Sequence, residues 1–128
     1  MQSQKEELWT RLTRFFNNAE SKITTDRYFE ICEQLGETPD PAKIPVSWED
    51  LPVIAQYAIN IFNSLGDRLV ADIGYLGKDY TALPTYIEAY EIEDVELLLE
   101  LLVWMDSRAI KQSAEHMKRE REKLKRKS

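Results

Sequence analysis

The sequence predicts an all-α fold, a small bundle of about five helices whose long C-terminal helix ends in a basic extension. Three observations lead to this prediction. Apolar residues recur at steps of three and four through most of the chain, which is the period of an amphipathic helix. No segment has the strict alternation that marks a half-buried strand. Four Gly and five Pro among 128 residues leave little material for the turns of a β fold.

The first helix is predicted over residues 4–17. Ser3 followed by Glu6 fits a capping box, in which each side chain satisfies a free backbone N–H at the start of a helix. The apolar residues of this segment have helical spacing: Leu8, Trp9, Leu12, Phe15 and Phe16. Asn17 and Asn18 are expected to end the helix.

A second helix is predicted to start at Thr24 or Thr25, either of which can cap it, and to stop at Gly36, which adopts the left-handed conformation readily. Its apolar face consists of Tyr28, Ile31, Cys32 and Leu35. Cys32 is the single cysteine and is expected to be a small core residue. The segment ETPDPAKIP that follows holds three prolines and is expected to be an extended connector, because proline has no N–H and restrains the residue before it.

The third helix, over residues 51–65, is predicted to be the central one. Asp50 precedes it, and Pro52 is tolerated in its first turn. A wide apolar stripe follows: Ile54, Tyr57, Ala58, Ile61, Phe62 and Leu65. Thr81 is expected to cap a short fourth helix over residues 82–90.

Between these two helices, DRLVADI could begin as a helical turn, and Gly74 and Gly77 in GYLGKDYTALP mark irregular backbone. The Gly-Lys pair invites comparison with a phosphate-binding loop, which needs glycine five positions before the pair and Ser or Thr after it. Asp72 and Asp79 stand at those two places, so two carboxylates would face the phosphate. A structural linker is the favoured interpretation, with a partner-binding loop as the alternative.

The last helix is predicted to start near Glu93 or Asp94, because acidic residues suit the N-terminal end of the helix dipole. The part beyond Ile110 is expected to project from the body, which divides the chain into an acidic helical domain, residues 1–110, and a basic helical extension, residues 111–128. The first half is expected to be surrounded, because its apolar residues form two stripes: Val95, Leu98, Leu102, Met105 and Ala109 in one, and Leu97, Leu101 and Trp104 in the other.

Charge is segregated along the chain. The formal net charge is −6, but residues 107–128 hold nine Lys or Arg against three Glu, a net charge of +6. Residues 1–106 therefore carry −12. An acidic body repels nucleic acid at long range, while a basic end attracts nucleic acid or an acidic protein surface.

An intracellular setting is expected, because a single cysteine cannot form an internal disulfide and MQSQKEELW lacks the pattern of a secretory signal. No run reaches the roughly 18 uncharged apolar residues of a membrane span. Glu96 and Glu100 interrupt the most apolar segment. We therefore expect a soluble protein without membrane contact.

No set of residues predicts catalysis. The carboxylates between residues 67 and 94 could suggest a magnesium-dependent nuclease, but no lysine follows them in a strand context, and a solvated acidic face is the favoured interpretation. His116, the single histidine, is expected to be exposed, and too few ligands accompany it or Cys32 for a zinc site. We predict a binding protein rather than an enzyme, with no catalytic residue, no metal site and no cofactor.

The tail KREREKLKRKS has three interpretations: a solvated helix end, a nucleic-acid contact, or a docking element for an acidic surface. Its charge would give weak, salt-sensitive binding to phosphates. Glu120 and Glu122 interrupt the run, and no aromatic residue is available to stack on bases, which favours solvation or a protein partner. A contact with the acidic body of another copy would be heterologous. The tail residues are Lys118, Arg119, Arg121, Lys123, Lys125, Arg126 and Lys127.

Protein binding needs exposed aromatic anchors. Core packing is favoured for Tyr86, Tyr90 and Trp104, whereas Tyr75 and Tyr80, beside glycines, are expected to be the exposed pair. The predicted partner-binding residues are Tyr75, Lys78, Asp79, Tyr80 and Trp104.

The segments RYFEICEQLG, IFNSLGDR and YLGKDYTALP are followed by a helix that ends in KREREKLKRKS. On the basis of these segments, residues 27–128 resemble small helical proteins of tailed bacteriophages. Such proteins are similar in kind to tail assembly chaperones, which bind the tape-measure protein. The resemblance implies a non-catalytic assembly chaperone or structural adaptor in the host cytoplasm or the virion, with a phage structural protein, a host factor or further copies of itself as partner. Two alternatives stay open: a regulator that binds nucleic acid through the tail, and an inhibitor of a host protein.

Overall fold

The computed structural model describes residues 2–21, 24–41 and 43–127. In this part the chain is 68% helical, with five α-helices and one two-stranded sheet. The mostly helical character and the long C-terminal helix are confirmed, but the prediction of a purely all-α fold is wrong. The elements are α1 (Gln2–Ser21), α2 (Thr25–Leu35), a 3-10 turn (Trp48–Asp50), α3 (Val53–Ser64), β1 (Asp67–Val70), β2 (Gly74–Lys78), α4 (Leu83–Ala89) and α5 (Val95–Lys127).

The chain forms two compact units, Met1–Gln56 and Tyr57–Ser128. In the first unit α2 has the predicted ends. The Thr24 hydroxyl accepts the Arg27 N–H at 3.1 Å, and Gly36 ends the helix with φ 68°, its N–H bonding back to the last turn. Cys32 is buried, as predicted. Helix α1 starts at Gln2 and runs on to Ser21, past its predicted ends, so Ser3 lies inside the helix instead of capping it.

The proline-rich connector is held by side chains of the first unit. Arg14 donates to the carbonyls of Pro41, at 2.9 Å, and Ile44. The Thr25 hydroxyl donates to the Pro45 carbonyl at 3.1 Å. Three prolines remove backbone donors from the connector, so arginine and hydroxyl groups bind the carbonyls that secondary structure leaves unpaired.

The second unit is built on α5. Its largest fully buried side chains are Ile61, Leu98, Leu101 and Leu102. Helix α5 starts where predicted, because the Asp94 carboxylate accepts the Leu97 N–H at 3.0 Å. Thr81 does not cap α4; its N–H and hydroxyl both donate to Asp79, at 2.9 and 2.6 Å.

Residues 67–78, expected as a helical turn and irregular linker, form an antiparallel hairpin of β1 and β2. Leu69 pairs with Tyr75, and Asp67 with Lys78, with a register shift between them that is typical of a β-bulge. All four residues of β1 are exposed, and its sequence, DRLV, has two polar residues followed by two apolar ones instead of an alternation. The pattern on which strand prediction depends is therefore missing from β1.

The C-terminal part of α5 projects later than predicted. Residues beyond Ile110 still contact the hairpin: the Ser113 hydroxyl accepts the Tyr75 N–H at 3.3 Å, and Arg121 donates to the Asp72 carbonyl at 3.0 Å. The predicted domain boundary at 110/111 falls within this continuous helix. The segment beyond the last of these hairpin contacts is residues 122–127.

Within residues 2–21, 24–41 and 43–127, no helix combines the length and apolarity needed to cross a bilayer.

The left-handed end of α2 generates a first prediction. Gly36→Ala should lower the free energy of unfolding by about 1 kcal/mol, because a Cβ at positive φ meets the following carbonyl oxygen. Urea or thermal denaturation followed by circular dichroism measures the change. Gly66→Ala is the matched control: both glycines have open space around them, but only Gly36 has a positive φ. Equal losses in the two variants would contradict this explanation.

Candidate functional site

Asp106 is a carboxylate on the buried side of α5, with only 8% of its surface exposed. Three donors from one segment of the chain surround it. The Tyr75 hydroxyl donates to Oδ1 at 2.6 Å, and the Tyr80 hydroxyl donates to Oδ2 at 2.5 Å. The backbone N–H of Lys78 donates to Oδ2 at 3.1 Å. A buried carboxylate is tolerated because these bonds replace the water that it loses.

The charge of Asp106 is stabilised despite its burial. Burial by itself would raise the pKa of this carboxyl, but bonds from the Tyr75 and Tyr80 hydroxyls, the Lys78 N–H and the nearby Lys78 ammonium lower the pKa below 3.8. Burial and the bond to Asp106 raise the pKa of Tyr75 and of Tyr80 well above 10.0. At neutral pH the site is therefore one anion held by two neutral phenols.

Lys78 is satisfied inside the unit. Its Nζ lies 2.6 Å from Asp67 Oδ1 and 3.3 Å from the Leu65 carbonyl oxygen, and it sits 4.6 Å from the centre of the Phe62 ring. Only 9% of Lys78 is exposed. This ammonium neutralises a carboxylate of β1 and is not turned outward as a phosphate ligand would be.

The two glycines of β2 permit close approach to α5. Gly77 has φ 118°, and a Cβ there would lie 3.2 Å from Asp106 Oδ2. Gly74 has φ 102°, and a Cβ there would lie 3.1 Å from the Ser113 hydroxyl. Both positions therefore need glycine for conformation and for space. This explains the glycine spacing that suggested a phosphate loop.

Side chains of α5 take the place of a third strand along the outer edge of β2. Asp106 and Ser113 accept the N–H groups of Lys78 and Tyr75. Seven helical residues rise about 10.5 Å, and three strand residues span about 10 Å. The spacings match, so two side chains two turns apart reach two strand amides. The outer edge of β1, in contrast, has no strand beside it among the described residues.

The predicted partner-binding residues are placed differently from one another. Tyr75 and Tyr80, expected to be exposed, are half-buried with their hydroxyls on Asp106, so that expectation is wrong. Asp79 is exposed, and bonds from Thr81 lower the pKa of its carboxyl. Trp104 is half-buried, with the Arg108 guanidinium 5.8 Å from the centre of its ring.

The tail cations lie together on the last turns of α5, and all are exposed: Lys118, Arg119, Arg121, Lys123, Lys125, Arg126 and Lys127. His116 is exposed, as predicted. Within the described residues, no group of three or more His, Cys, Asp or Glu is arranged to hold a metal ion.

A cavity of about 240 Å³ in the first unit is lined by Arg11, Arg14, Pro41, Ile44, Pro45, Val46 and Asp50. Both guanidinium groups donate to main-chain carbonyls at its rim, Arg11 to that of Asp50 at 3.2 Å and Arg14 to that of Pro41. These arginines hold the connector and the 3-10 turn in place, which is a structural role.

Reasoning from the sequence missed two features of the second unit. Asp106 carried one available signal, a lone carboxylate next to Met105 on an apolar helix face, where an acid needs partners from elsewhere. The second feature is a set of exposed aliphatic side chains on the hairpin: Leu69, Val70, Ile73 and Leu76.

Comparison with family models, curated proteins and solved structures finds no match for this chain.

The Asp106 cluster generates a second prediction. Asp106→Leu should lower the free energy of unfolding by about 3 kcal/mol, because it leaves two hydroxyls and one N–H without an acceptor. Urea denaturation measures this loss. Hydrogen exchange at the Lys78 amide should accelerate in the same variant, because that amide loses its acceptor.

Asp106→Asn is the control for charge, since the Tyr75 hydroxyl can turn to accept from its amide. The lowered pKa means that ionised Asp106 stabilises the fold fully above about pH 5, and that this contribution is lost as pH falls through the folded value. The stability difference between wild type and Asp106→Asn should therefore shrink in acid. A difference that does not change with pH would contradict the assigned charge.

Proposed function

We propose that this chain is a non-catalytic protein-binding adaptor whose docking surface is the hairpin of residues 67–78. The observation that supports it is that the hairpin is both attached and apolar on its surface. It is fixed to α5 through Asp106 and Ser113. It also exposes aliphatic side chains to water, with Leu69 70% and Ile73 59% exposed.

A cluster of exposed aliphatic side chains on one short element is typical of a binding surface. Core packing does not explain Leu69 and Ile73, because more than half of each is exposed. The rigid attachment matters for affinity, since a surface that is already ordered loses little conformational entropy on binding.

The open edge of β1 indicates how a partner docks. An extended segment of another protein can add to this edge, with backbone hydrogen bonds supplying affinity and alternate side chains supplying selectivity. On β2 the corresponding edge is occupied by α5 side chains, so strand addition has one available side. The occupant that fits is an extended segment with apolar side chains.

The setting of this adaptor follows from the resemblance to small proteins of tailed bacteriophages. In that setting the role is assembly, as a chaperone or structural adaptor for a virion component. An inhibitor of a host protein would use the same kind of surface, with a host protein as its partner.

The hairpin surface generates a third prediction. Leu69→Thr keeps strand propensity in β1, Ile73→Thr changes a residue of the turn, and both remove apolar area. The double variant should weaken partner binding at least about tenfold, or about 1.4 kcal/mol. The measurement is pairwise co-expression and co-purification with the products of the adjacent genes, followed by titration of any pair that forms.

The matched control is Val53→Thr/Leu35→Thr, two similarly exposed aliphatic residues of the first unit. This control should bind like wild type. Equal weakening by both double variants, or none by the hairpin variant, overturns the hairpin as docking surface. Failure of every adjacent gene product to bind rejects the assembly role.

Nucleic-acid binding through the tail is a second candidate function, favoured by the seven exposed cations of residues 118–127. If it operates, duplex DNA retains the protein at low salt, and affinity falls steeply as salt rises. Deleting residues 118–128 should then abolish retention, whereas Leu69→Thr/Ile73→Thr leaves it unchanged. A mobility-shift titration at several salt concentrations measures this, and no retention at low salt removes the candidate.

A further inference from the structure

We propose that the basic end of α5 in one molecule binds an acidic corner, just before and at the start of α5, in a second copy, so that copies associate head to tail. The acidic corner is the exposed set Glu88, Glu91, Glu93, Asp94 and Glu96, and the basic end is residues 118–127. This contact lies outside the hairpin surface and does not depend on the adaptor function.

The two regions are complementary in charge. From Asp79 to Ser107 the sequence has eight Asp or Glu and no Lys or Arg. From Arg108 to Lys127 it has nine Lys or Arg and three Glu. Stabilisation of a helix dipole involves only the first and last turns. The charges here extend well beyond those turns, so the dipole does not account for them.

The two regions are separated by the length of α5. The acidic corner reaches α5 only at Glu96, in its first turn, and the basic end is formed by its last turns. This continuous helix of 33 residues is about 50 Å long. Glu96 and Lys123 are 27 positions apart, a rise of about 40 Å. The Debye length in physiological salt is about 8 Å. The acidic corner and the basic end therefore attract one another little through solvent along α5. Lys123 has an exposed ion pair with Glu120 at 3.4 Å, and an exposed pair of this kind contributes little stability, so Lys123 can exchange it for a carboxylate of another molecule.

Exposed apolar side chains accompany the charges at both ends. Leu124 is 69% exposed, with Lys123 beside it and Lys127 one turn further on. Near the acidic corner, Leu99 and Val103 are exposed four residues apart, on the same helical face as Glu96. An apolar centre with a charged rim is the usual composition of a specific interface. Leu124 of one copy therefore packs on Leu99 and Val103 of the next, while the rim charges pair.

The contact is heterologous, because it joins different surfaces of the two copies. Each added molecule leaves one acidic corner and one basic end unused, so association continues to a ring or a filament. The hairpin covers the middle of α5 up to Arg121 and leaves residues 122–127 beyond it. The basic end is therefore accessible to a neighbouring molecule.

Sedimentation velocity over a concentration series tests the proposal with the full chain. Wild type at low salt should form species larger than a dimer, and these should dissociate in about 1 M salt, where the Debye length is about 3 Å. The end variant Lys123→Gln/Leu124→Ser/Lys127→Gln and the corner variant Glu93→Gln/Glu96→Gln/Val103→Ser should each associate at least tenfold more weakly.

An equimolar mixture of the end variant and the corner variant gives the sharpest readout. One productive contact remains, between the intact end of the corner variant and the intact corner of the end variant. The mixture should therefore form a dimer and nothing larger. Arg119→Gln/Arg126→Gln is the matched control: it removes the same charge from the helix face opposite Leu124 and should still assemble.

Four outcomes overturn the proposal. They are a wild-type monomer at all concentrations in low salt, a wild type that stops at a dimer, a control that dissociates as the end variant does, and a mixture that stays monomeric. Leu69→Thr/Ile73→Thr should assemble like wild type. Loss of partner binding and loss of self-association are thereby separated.

Discussion

The second unit depends on the hydrogen bonds of one buried anion. A carboxylate on a helix face that is out of water must receive donors, and Asp106 receives them from three residues that lie close together in sequence. This requirement draws the segment from Tyr75 to Tyr80 against α5. The same approach requires glycine at positions 74 and 77, because any Cβ there would press on α5 or on its carboxylate.

The Asp106 cluster also shows why the hairpin can exist without a larger sheet. A two-stranded hairpin alone is marginally stable in water. Here the helix supplies acceptors at two positions whose spacing matches the strand. At the end of the hairpin away from its turn, the Lys78 ammonium binds Asp67 and the Leu65 carbonyl. Side chains of α5 accept the N–H groups at one edge of the hairpin, and the other edge has no strand beside it in the described part of the chain. This asymmetry is what makes β1 the candidate docking edge.

Helix α5 gives the second unit a linear order. Acidic residues come first, the hairpin lies along the middle, and basic residues come last. Because one helix carries all three, its stiffness keeps opposite charges apart and leaves each surface available to a different molecule. In the adaptor proposed above, a partner would bind the hairpin and further copies would bind the helix ends, so the two contacts would use different surfaces.

The residues that look most like binding residues in the sequence have other tasks in the fold. Tyr75, Tyr80 and Lys78 combine aromatic or cationic groups with neighbouring glycines, a combination common in ligand loops. In the fold their polar groups are occupied by Asp106 and Asp67. The exposed apolar surface of the hairpin is made instead by aliphatic residues. In a sequence such residues give no functional signal, because most of them are buried in folded proteins.

The sequence by itself determined what depends on near neighbours. The apolar period of the helices, the Thr24 cap, the Gly36 stop and the start of α5 at Asp94 all involve residues within four positions of one another, so local physics specifies them. Tertiary structure alone decided the hairpin and its attachment. The strand β1 is wholly exposed and has no alternation, and the acceptors for Tyr75 and Lys78 lie 38 and 28 residues away along the chain. Only packing could show that Asp106 is a buried anion rather than one more surface charge, because its burial depends on donors that it meets only after the chain has folded.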